Sequence, residues 1–263
     1  MKVAVVQHDI VWEDKEANFA RLAPQIEAAA GTGARLVVLT ETFSTGFSMR
    51  TDVTAEPEGG PSSQFLVSQA KEHGVWLCGS VPEVAVPGDQ PYNSLVLANP
   101  DGEVAARYRK LHRFAYGGED RRFSAGSQPV TVDIEGLRAS LFVCYDLRFA
   151  DDWWALAPDT DAYLCPANWP DTRRAHWQVL LRARAIENQA YVVGCNRVGH
   201  AGGGKLTYAG DSAIVDPMGE TLASGAGTEA LLVAEVDPAR VAEVRAEFPF
   251  MADRRQIGAE LDM

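Results

Sequence analysis

The chain has 263 residues, of which 24 are Lys or Arg and 36 are Asp or Glu, so its net charge is −12. This acidic balance argues against a surface for nucleic acid or anionic membranes, because phosphate contacts need clustered basic side chains. A small anionic substrate is still possible, since one local Lys or Arg can outweigh a diffuse field. The length suits one substantial hydrophobic core, and we predict a single domain over residues 1–263.

Targeting signals and cysteine usage favour a cytoplasmic protein. The N-terminal segment lacks the basic stretch, apolar core and cleavage site of a secretory signal. No apolar run approaches the roughly 20 residues that span a bilayer. The four cysteines are widely spaced without a CxxC pair, which argues against a zinc site or a disulfide framework.

Short apolar runs alternate with amphipathic segments along the first third of the chain. This alternation predicts an α/β fold whose strands are buried between helices. The predicted strands are Val3–Gln7, Leu36–Glu41 and Val75–Val81, and the predicted helices are Lys15–Ala30 and Ser62–Glu72.

The middle of the chain differs, because strand-like segments there are separated by short turns. Two hairpins are predicted, with strands at Asn93–Asn99, Glu103–Lys110, Val130–Ile134 and Arg138–Val143. Alternation then resumes, with helices near Ala150–Ala157 and at Arg173–Gln189 and strands at Ala162–Pro166 and Ala190–Val198.

The C-terminal part is predicted to contain one more strand pair and a helix. We expect Tyr208–Asp216 and Glu229–Val236 to pair with each other. Asp237-Pro238 then begins a helix, with proline in its first turn. The glycine-rich stretch Gly199–Gly204 is expected to form a mobile loop, and it lacks the context of a dinucleotide-binding motif.

Cys144 lies where an apolar run, Leu141–Val143, gives way to the polar segment Tyr145–Arg148. A cysteine in this position can be presented to a substrate with the next backbone N–H beside it. Glu41 and Lys110 also end strand-like runs, and α/β sheets place functional groups at the carboxyl ends of strands. A carboxylate can accept the thiol proton and an ammonium favours the thiolate. The three residues therefore make a candidate catalytic set.

Each of these residues also has a simpler interpretation. A cysteine on a strand is usually a small core side chain, and an acid or a lysine at a strand end usually reaches solvent. We interpret the other three cysteines as core residues: Cys78, Cys165 and Cys195.

Three segments carry Glu41, Lys110 and Cys144 in an order that resembles the nitrilase, or carbon–nitrogen hydrolase, superfamily: Leu39–Phe43, Tyr108–Phe114 and Val143–Phe149. Four later segments look most like its omega-amidase branch, particularly the bacterial members: Ala167–Pro170, His176–Trp177, Arg182–Gln189 and Gly210–Ser212. The resemblance extends over essentially the whole chain and implies a four-layer α-β-β-α sandwich.

The resemblance implies an amidase that works through a thioester. In that mechanism Glu41 is the general base, Cys144 is the nucleophile, and Lys110 with the backbone N–H of Tyr145 stabilises the oxyanion. Glu119 matches a second family carboxylate that orients the lysine and the substrate. Its simpler interpretation is a solvated loop acid.

The omega-amidase branch suggests a short dicarboxylate monoamide with an α-keto acid at its far end, such as 2-oxoglutaramate or 2-oxosuccinamate. Arg148 is the first candidate for the distal carboxylate, because guanidinium groups bind carboxylates with two hydrogen bonds. Its alternative role is to brace the turn through Asp146. His112 is a candidate for contact with the substrate, and Trp169 for an apolar wall.

Further expectations concern cofactors, partners and rival functions. No cofactor or metal is expected, because lysine and backbone groups supply the charge stabilisation. The resemblance implies a homodimer or a higher homo-oligomer, with an interface at the helical segments flanking residues 152–154 and 182–189, although Trp153 and Trp154 could equally be core residues. Arg173 and Arg174 are expected to face solvent. The alternatives are a nitrilase, an N-carbamoyl amidase or an aliphatic amidase of the same superfamily, and a catalytically silent scaffold.

Overall fold

The computed structural model describes residues 1–201, 203–204 and 206–255. Three parts of the chain lie outside the described residues: Gly202 of the glycine-rich stretch, Lys205, and residues 256–263 at the end of the predicted domain. The helices are α1 (Lys15–Gly31), α2 (Thr51–Thr54), α3 (Pro61–His73), α4 (Ala150–Leu156), α5 (Arg174–Asn188) and α6 (Pro238–Glu247).

The strands follow the predicted order with several additions. They are β1 (Lys2–Gln7), β2 (Leu36–Val38), β3 (Glu56–Pro57), β4 (Trp76–Val84), β5 (Tyr92–Ala98), β6 (Val104–Arg109), β7 (Thr131–Ile134), β8 (Leu137–Leu141), β9 (Ala162–Ala167), β10 (Tyr191–Asn196), β11 (Val198–Ala201), β12 (Leu206–Val215), β13 (Thr221–Ala226) and β14 (Ala230–Glu235).

Two mixed sheets, each of seven strands within the described residues, form the centre of the molecule. The first has the order β14-β1-β2-β4-β5-β6, with β3 beside β4. The second has the order β11-β12-β10-β9-β8-β7, with β13 beside β12. The central strands of each sheet are parallel to one another. These strands are β1, β2 and β4 in the first sheet and β8, β9 and β10 in the second.

Three layers of apolar side chains separate four layers of secondary structure. The faces of the two sheets that meet share one core, which includes Val5, Val38, Leu95, Leu141, Leu164 and Ile214. Helices α1 and α3 cover the outer face of the first sheet through Leu22, Ile26 and Leu66. Helices α4 and α5 cover the second sheet through Trp153, Trp177 and Leu181. The predicted α-β-β-α sandwich is confirmed, and Trp153 is a core residue.

The predicted pairing of the last two strands is wrong. Strand β14 pairs antiparallel with β1 in the first sheet, with Val5 opposite Leu232. The place beside β12 is taken by β13, a strand of mostly small or polar residues that the apolar pattern did not reveal. An alternating apolar pattern identifies a strand, but it does not specify which distant strand becomes its neighbour.

The glycine-rich stretch is only partly a loop. Gly199 to Ala201 belong to β11, which pairs antiparallel with β12. The predicted helix after Asp237 is confirmed as α6, and the Asp237 side chain accepts a hydrogen bond from the Ala239 backbone N–H. This contact satisfies one of the free N–H groups at the start of the helix.

Candidate active site

Glu41 lies in a turn beyond β2, which ends at Val38, so the predicted strand to Glu41 is three residues too long. The side chain is fully buried. Its Oε1 accepts hydrogen bonds from Lys110 Nζ at 3.0 Å and from Asn93 Nδ2 at 2.8 Å. Its Oε2 accepts from the Asn168 backbone N–H at 2.7 Å. The carboxylate is therefore fixed in one orientation by groups from several elements.

Lys110 follows β6 directly and is also buried. Its Nζ donates to Oε1 of Glu41 at 3.0 Å and to both carboxylate oxygens of Glu119, at 3.1 and 3.0 Å. Burial by itself lowers the pKa of Lys110, but Glu119 and Glu41 outweigh this effect and raise the pKa well above its ordinary value. The ammonium form is consequently retained inside the protein.

Glu119 lies in a single helical turn after the loop that follows Lys110. Besides its two contacts with Lys110, it accepts hydrogen bonds from the Phe114 backbone N–H at 2.6 Å and from Asn93 Nδ2 at 3.2 Å. The side chain is fully buried, so it is not a solvated loop acid. Burial raises the pKa of Glu119, and the charge of Lys110 acts against this shift.

Cys144 begins a short helical turn, three residues after β8 ends at Leu141. Its φ of 47° is unusual for a residue other than glycine. The Asp146 carboxylate stabilises this turn by accepting hydrogen bonds from the Val143 N–H, the Tyr108 hydroxyl and the His112 N–H, at 2.9, 2.8 and 2.9 Å. Strained backbone of this kind is frequent where a functional side chain is presented.

The electrostatic environment keeps the thiol of Cys144 protonated. Burial and the nearby Glu41 carboxylate raise its pKa well above the ordinary value, while Lys110 acts in the opposite direction. A base is therefore needed to generate the thiolate at neutral pH. The other three cysteines are fully buried, which confirms their interpretation as core residues.

Glu41, Lys110 and Cys144 all line a single cavity of about 530 Å³. Its walls are mainly aromatic and apolar, with a small number of charged groups. The remaining lining residues are Trp12, Phe47, Met49, Phe114, Tyr116, Gly117, Tyr145, Arg148, Asn168, Trp169, Pro170, Thr172, Arg173, Leu206 and Tyr208. An apolar pocket with a few convergent polar groups is typical of a small-molecule site.

Arg148 lies in this cavity, and within the described residues it forms no hydrogen bond or ion pair with Asp146. Its guanidinium is 4.5 Å from the ring centre of Trp169 and 5.9 Å from that of Tyr145. Its Nη2 is 3.2 Å from Nδ1 of His176. The carboxylate of Asp146 is instead hydrogen-bonded to Val143, Tyr108 and His112, so Arg148 does not brace the Cys144 turn through Asp146.

The two arginines expected to face solvent have different positions. Arg173 lines the cavity, with its guanidinium 5.5 Å from the ring centre of Phe114. Arg174 lies outside the cavity and forms a paired hydrogen bond to Asp211, at 2.6 and 2.8 Å. The expectation is therefore wrong for Arg173, because the turn before α5 directs these neighbouring side chains in different directions.

His112 is not among the residues that line the cavity. Its ring stacks on Phe149 at 3.7 Å, its Nδ1 is 3.1 Å from Asp146, and its Nε2 is 3.4 Å from Asp152. The Asp146 hydrogen bond raises the pKa of His112. His112 therefore lies outside the cavity, and it contacts Asp146 and Phe149 in the segment that follows Cys144.

Two buried amides at the site were not identified from the sequence. Asn93 donates from Nδ2 to both Glu41 and Glu119, and Asn168 contacts Glu41 through its backbone and its side chain. Asn93 lies within β5, and Asn168 directly follows β9. An asparagine within or directly after an otherwise apolar strand was the available signal, because such a residue needs buried partners.

The described residues contain no group of three or more His, Cys, Asp and Glu side chains placed to bind a metal ion. None of the helices in this part of the chain is both long enough and apolar enough to cross a membrane.

Comparison with known families agrees with the geometry of this site. A family model described as carbon-nitrogen hydrolase matches residues 2–246. The chain belongs to the carbon–nitrogen hydrolase family. This finding confirms the resemblance that the segments around Glu41, Lys110 and Cys144 indicated.

Individual relatives support the same assignment. The omega-amidase of Escherichia coli is 37% identical over 254 residues, which cover 96% of each protein. The 2-oxoglutaramate amidase of Bacillus subtilis is 33% identical over 258 residues, or 97% of each protein. A solved CN-hydrolase superfamily protein from Xanthomonas campestris, with an arsenic adduct in its active site, has a TM-score of 0.91 and 36% identity over 97% of each chain. The protein is therefore a carbon–nitrogen hydrolase that acts on linear amides.

Proposed function

We propose that this carbon–nitrogen hydrolase removes the terminal amide of a short dicarboxylate monoamide whose far end is an α-keto acid, such as 2-oxoglutaramate or 2-oxosuccinamate. The observation that carries this proposal is one cavity lined by a thiol, a carboxylate and an ammonium together with the guanidinium groups of Arg148 and Arg173. The name of the Bacillus subtilis relative, 2-oxoglutaramate amidase, supports the same substrate class.

In the proposed first half-reaction, Glu41 accepts the proton of the Cys144 thiol as the sulfur attacks the amide carbon. The raised pKa of Cys144 supports this order of events, because few thiolates exist before the base acts. The negative charge that develops on the amide oxygen is stabilised by Lys110 and by the backbone N–H of Tyr145. A donor of this kind is typically worth about 3 kcal/mol.

The tetrahedral intermediate then collapses. Protonated Glu41 transfers its proton to the amide nitrogen, the carbon–nitrogen bond breaks, ammonia leaves, and a thioester to Cys144 forms. Glu41 next accepts a proton from a water molecule that attacks the thioester carbon. The carbon–sulfur bond breaks, the carboxylic acid is released, and the proton returns to the sulfur. Glu119, held 3.0 Å from Lys110, orients the lysine throughout.

Arg148 binds the distal carboxylate in this proposal. A guanidinium is suited to paired hydrogen bonds with a carboxylate, and the aromatic faces of Trp169 and Tyr145 hold it within the cavity. Arg173 adds a second positive charge. Burial lowers the pKa of Arg148, and the like charge of Arg173 acts in the same direction, so an anion between them relieves this repulsion.

We also propose that the protein is a homodimer in a reduced cytoplasm. Apolar side chains on α4 and α5 support the dimer, because Val179, Ile186 and Trp154 are 65%, 47% and 41% exposed. Large exposed apolar side chains on neighbouring helices are typical of an interface between subunits. Four cysteines without a disulfide support the compartment.

The experiment that tests the proposed activity is ammonia release from a panel of equimolar substrates. The panel contains 2-oxoglutaramate, glutamine, butyramide, a nitrile and an N-carbamoyl amino acid. We expect the highest kcat/KM for the keto-acid amide, with glutamine and butyramide well below it. Equal or better hydrolysis of any other member would overturn the substrate assignment and identify one of the related activities instead.

The covalent step is tested separately by intact mass spectrometry after brief exposure to 2-oxoglutaramate. The wild-type protein should gain the mass of the acyl group, and Cys144→Ala should not. Cys165→Ala is the matched control, because that thiol is buried outside the cavity and its variant should still form the adduct. Full amidase activity of Cys144→Ala would contradict the mechanism and the role of a thioester.

A further inference from the structure

Asn168 connects the two sheets at the active site. It directly follows β9, which is bonded to β8, the strand that precedes Cys144. Glu41 follows β2 in the other sheet. The base and the nucleophile of the proposed function therefore come from different sheets, and Asn168 extends from the sheet of the nucleophile to the base.

Three hydrogen bonds join Asn168 to the turn that carries Glu41. The Asn168 backbone N–H donates to Oε2 of Glu41 at 2.7 Å. Its side-chain Nδ2 donates to the backbone carbonyl of Glu41 and to Oγ1 of Thr42, the latter at 3.2 Å. All three residues are buried, so water does not compete for these groups.

The turn at Glu41 and Thr42 needs such support. Thr42 has a φ of 42°, in the left-handed region that a β-branched residue rarely adopts. The Thr42 N–H is bonded to Ser80 Oγ at 2.8 Å, within the first sheet. Asn168 is thus the partner from the second sheet that holds the same turn, and it fixes the turn relative to Cys144.

The hydrogen bonds of Glu41 indicate which oxygen accepts the thiol proton. A carboxylate offers about four acceptor positions, two on each oxygen. Among the described residues, Lys110 and Asn93 both donate to Oε1, while the Asn168 N–H alone donates to Oε2. The free acceptor position therefore lies on Oε2, the atom that Asn168 holds.

We infer that Asn168 is a positioning residue, which fixes the Glu41–Thr42 turn across the two sheets and directs Oε2 of Glu41 toward the thiol of Cys144. This inference rests on the proposed function, in which Glu41 is the general base. To that function the inference adds two points: Oε2 of Glu41 is the atom that receives the thiol proton, and Asn168 is the residue that aligns this oxygen. Asn168 acts through Glu41 and needs no contact with the substrate of its own.

The test compares two variants, Asn168→Ala and Asn168→Asp, with the wild-type enzyme, using 2-oxoglutaramate as substrate. Misalignment of the base should lower kcat of Asn168→Ala by about 100-fold, with KM changed less than the rate. Asn168→Asp places a negative charge beside Glu41, which disfavours the ionised base. We therefore expect the acid limb of its kcat/KM profile to move to higher pH.

Asn188→Ala is the matched control. Asn188 is also buried, and its Nδ2 donates to a backbone carbonyl, that of Arg184, at 2.9 Å, but it lies outside the cavity. The control should lose stability in urea unfolding without a loss of kcat under conditions where it is folded. A wild-type kcat and pH profile for both Asn168 variants would overturn the inference. It would also be overturned if Asn168→Ala raised KM alone.

Failure of this inference can be distinguished from failure of the proposed function. Suppose that Cys144→Ala and Glu41→Gln are inactive while both Asn168 variants behave as wild type. The proposed roles of Cys144 and Glu41 then stand, and the positioning role of Asn168 is wrong. If Cys144→Ala remains active, the proposed mechanism fails, and with it the reason to assign Asn168 a role in aligning a base.

Discussion

Both carboxylate oxygens of Glu119 lie within hydrogen-bonding distance of Lys110 Nζ, at 3.1 and 3.0 Å, and neither residue is exposed to solvent. The lysine also contacts Glu41, so one buried ammonium is shared by two buried carboxylates. The position of the Lys110 ammonium relative to a substrate thus depends on Glu119, which is bonded in turn to the Phe114 backbone N–H.

Replacing Glu119 by glutamine should lower both activity and stability. Glu119→Gln leaves the buried ammonium with one carboxylate, and breaking a buried ion pair costs about 3 kcal/mol. In the proposed mechanism a displaced Lys110 stabilises the oxyanion less well, so we expect kcat to fall about 100-fold. Ammonia release and urea unfolding measure the two effects. Asp120→Asn, at the exposed neighbouring position, should change neither, and a wild-type kcat for Glu119→Gln would refute its orienting role.

Removal of the Glu41 charge should have opposite effects on two reactions of Cys144. The carboxylate raises the pKa of the thiol, so Glu41→Gln should move the pH midpoint of alkylation by iodoacetamide to lower pH. Amide hydrolysis should nevertheless fall about 100-fold or more, because the proposed general base is lost. The two rates are measured on the same preparation. A midpoint that moves to higher pH would contradict the electrostatic argument.

Replacing Lys110 by methionine should shift the alkylation of Cys144 in the direction opposite to the Glu41→Gln shift. The ammonium favours the thiolate of Cys144, so its removal should move the alkylation midpoint to higher pH. Hydrolysis should fall in this variant too, since the proposed donor to the oxyanion is lost. Shifts of the same sign in Lys110→Met and Glu41→Gln would show that the charges of the two residues do not control the thiol.

Arg148→Gln should weaken the binding of keto-acid amides selectively. Loss of the proposed charged hydrogen bond to the distal carboxylate should raise the Michaelis constant for the keto-acid amide about 10-fold or more. The Michaelis constant for butyramide, which has no carboxylate, should remain nearly unchanged. Arg174→Gln is the control, because that side chain is bonded to Asp211 outside the cavity. An equal change for both amides would argue against carboxylate binding by Arg148.

The interaction of His112 with Asp146 should make stability depend on pH. The pKa of His112 is raised in the folded protein, so its protonated form stabilises the fold below about pH 6.5, and this contribution is lost as pH rises through the folded-state pKa. His112→Gln should therefore cost more stability at pH 5.5 than at pH 9, by about 1 kcal/mol or less. Urea unfolding measures the difference. The Michaelis constant for the keto-acid amide should not change, because His112 lies outside the cavity.

Much of the architecture could be predicted because it depends on local patterns. The strand at Lys2–Gln7 and the helix at Lys15–Gly31 follow from apolar periodicity, and they agree with the predicted elements within a residue or two. Pairing between distant segments was less predictable. The apolar pattern of β14 is compatible with a place in either sheet. Its pairing with β1 is decided only when the whole chain packs.

In the candidate site, too, local features could be predicted from the sequence and contacts between distant residues could not. The residue types of Glu41, Lys110 and Cys144, and the apolar runs before them, sufficed to predict a thiol, a base and a cation at strand ends. The sequence did not predict the buried amides of Asn93 and Asn168, whose partners lie 26 to 127 residues away along the chain. Hydrogen bonds over such separations exist only after the two sheets pack against each other.

The sequence by itself determined the alternation of strands and helices, the residue types of the candidate catalytic set and the family. The tertiary structure alone decided that Arg173 faces the cavity and that His112 stacks on Phe149 instead. The physical reason is that side chains beyond strand ends have no periodic pattern. Their directions depend on turns such as that at Cys144, which are held by contacts with remote parts of the chain.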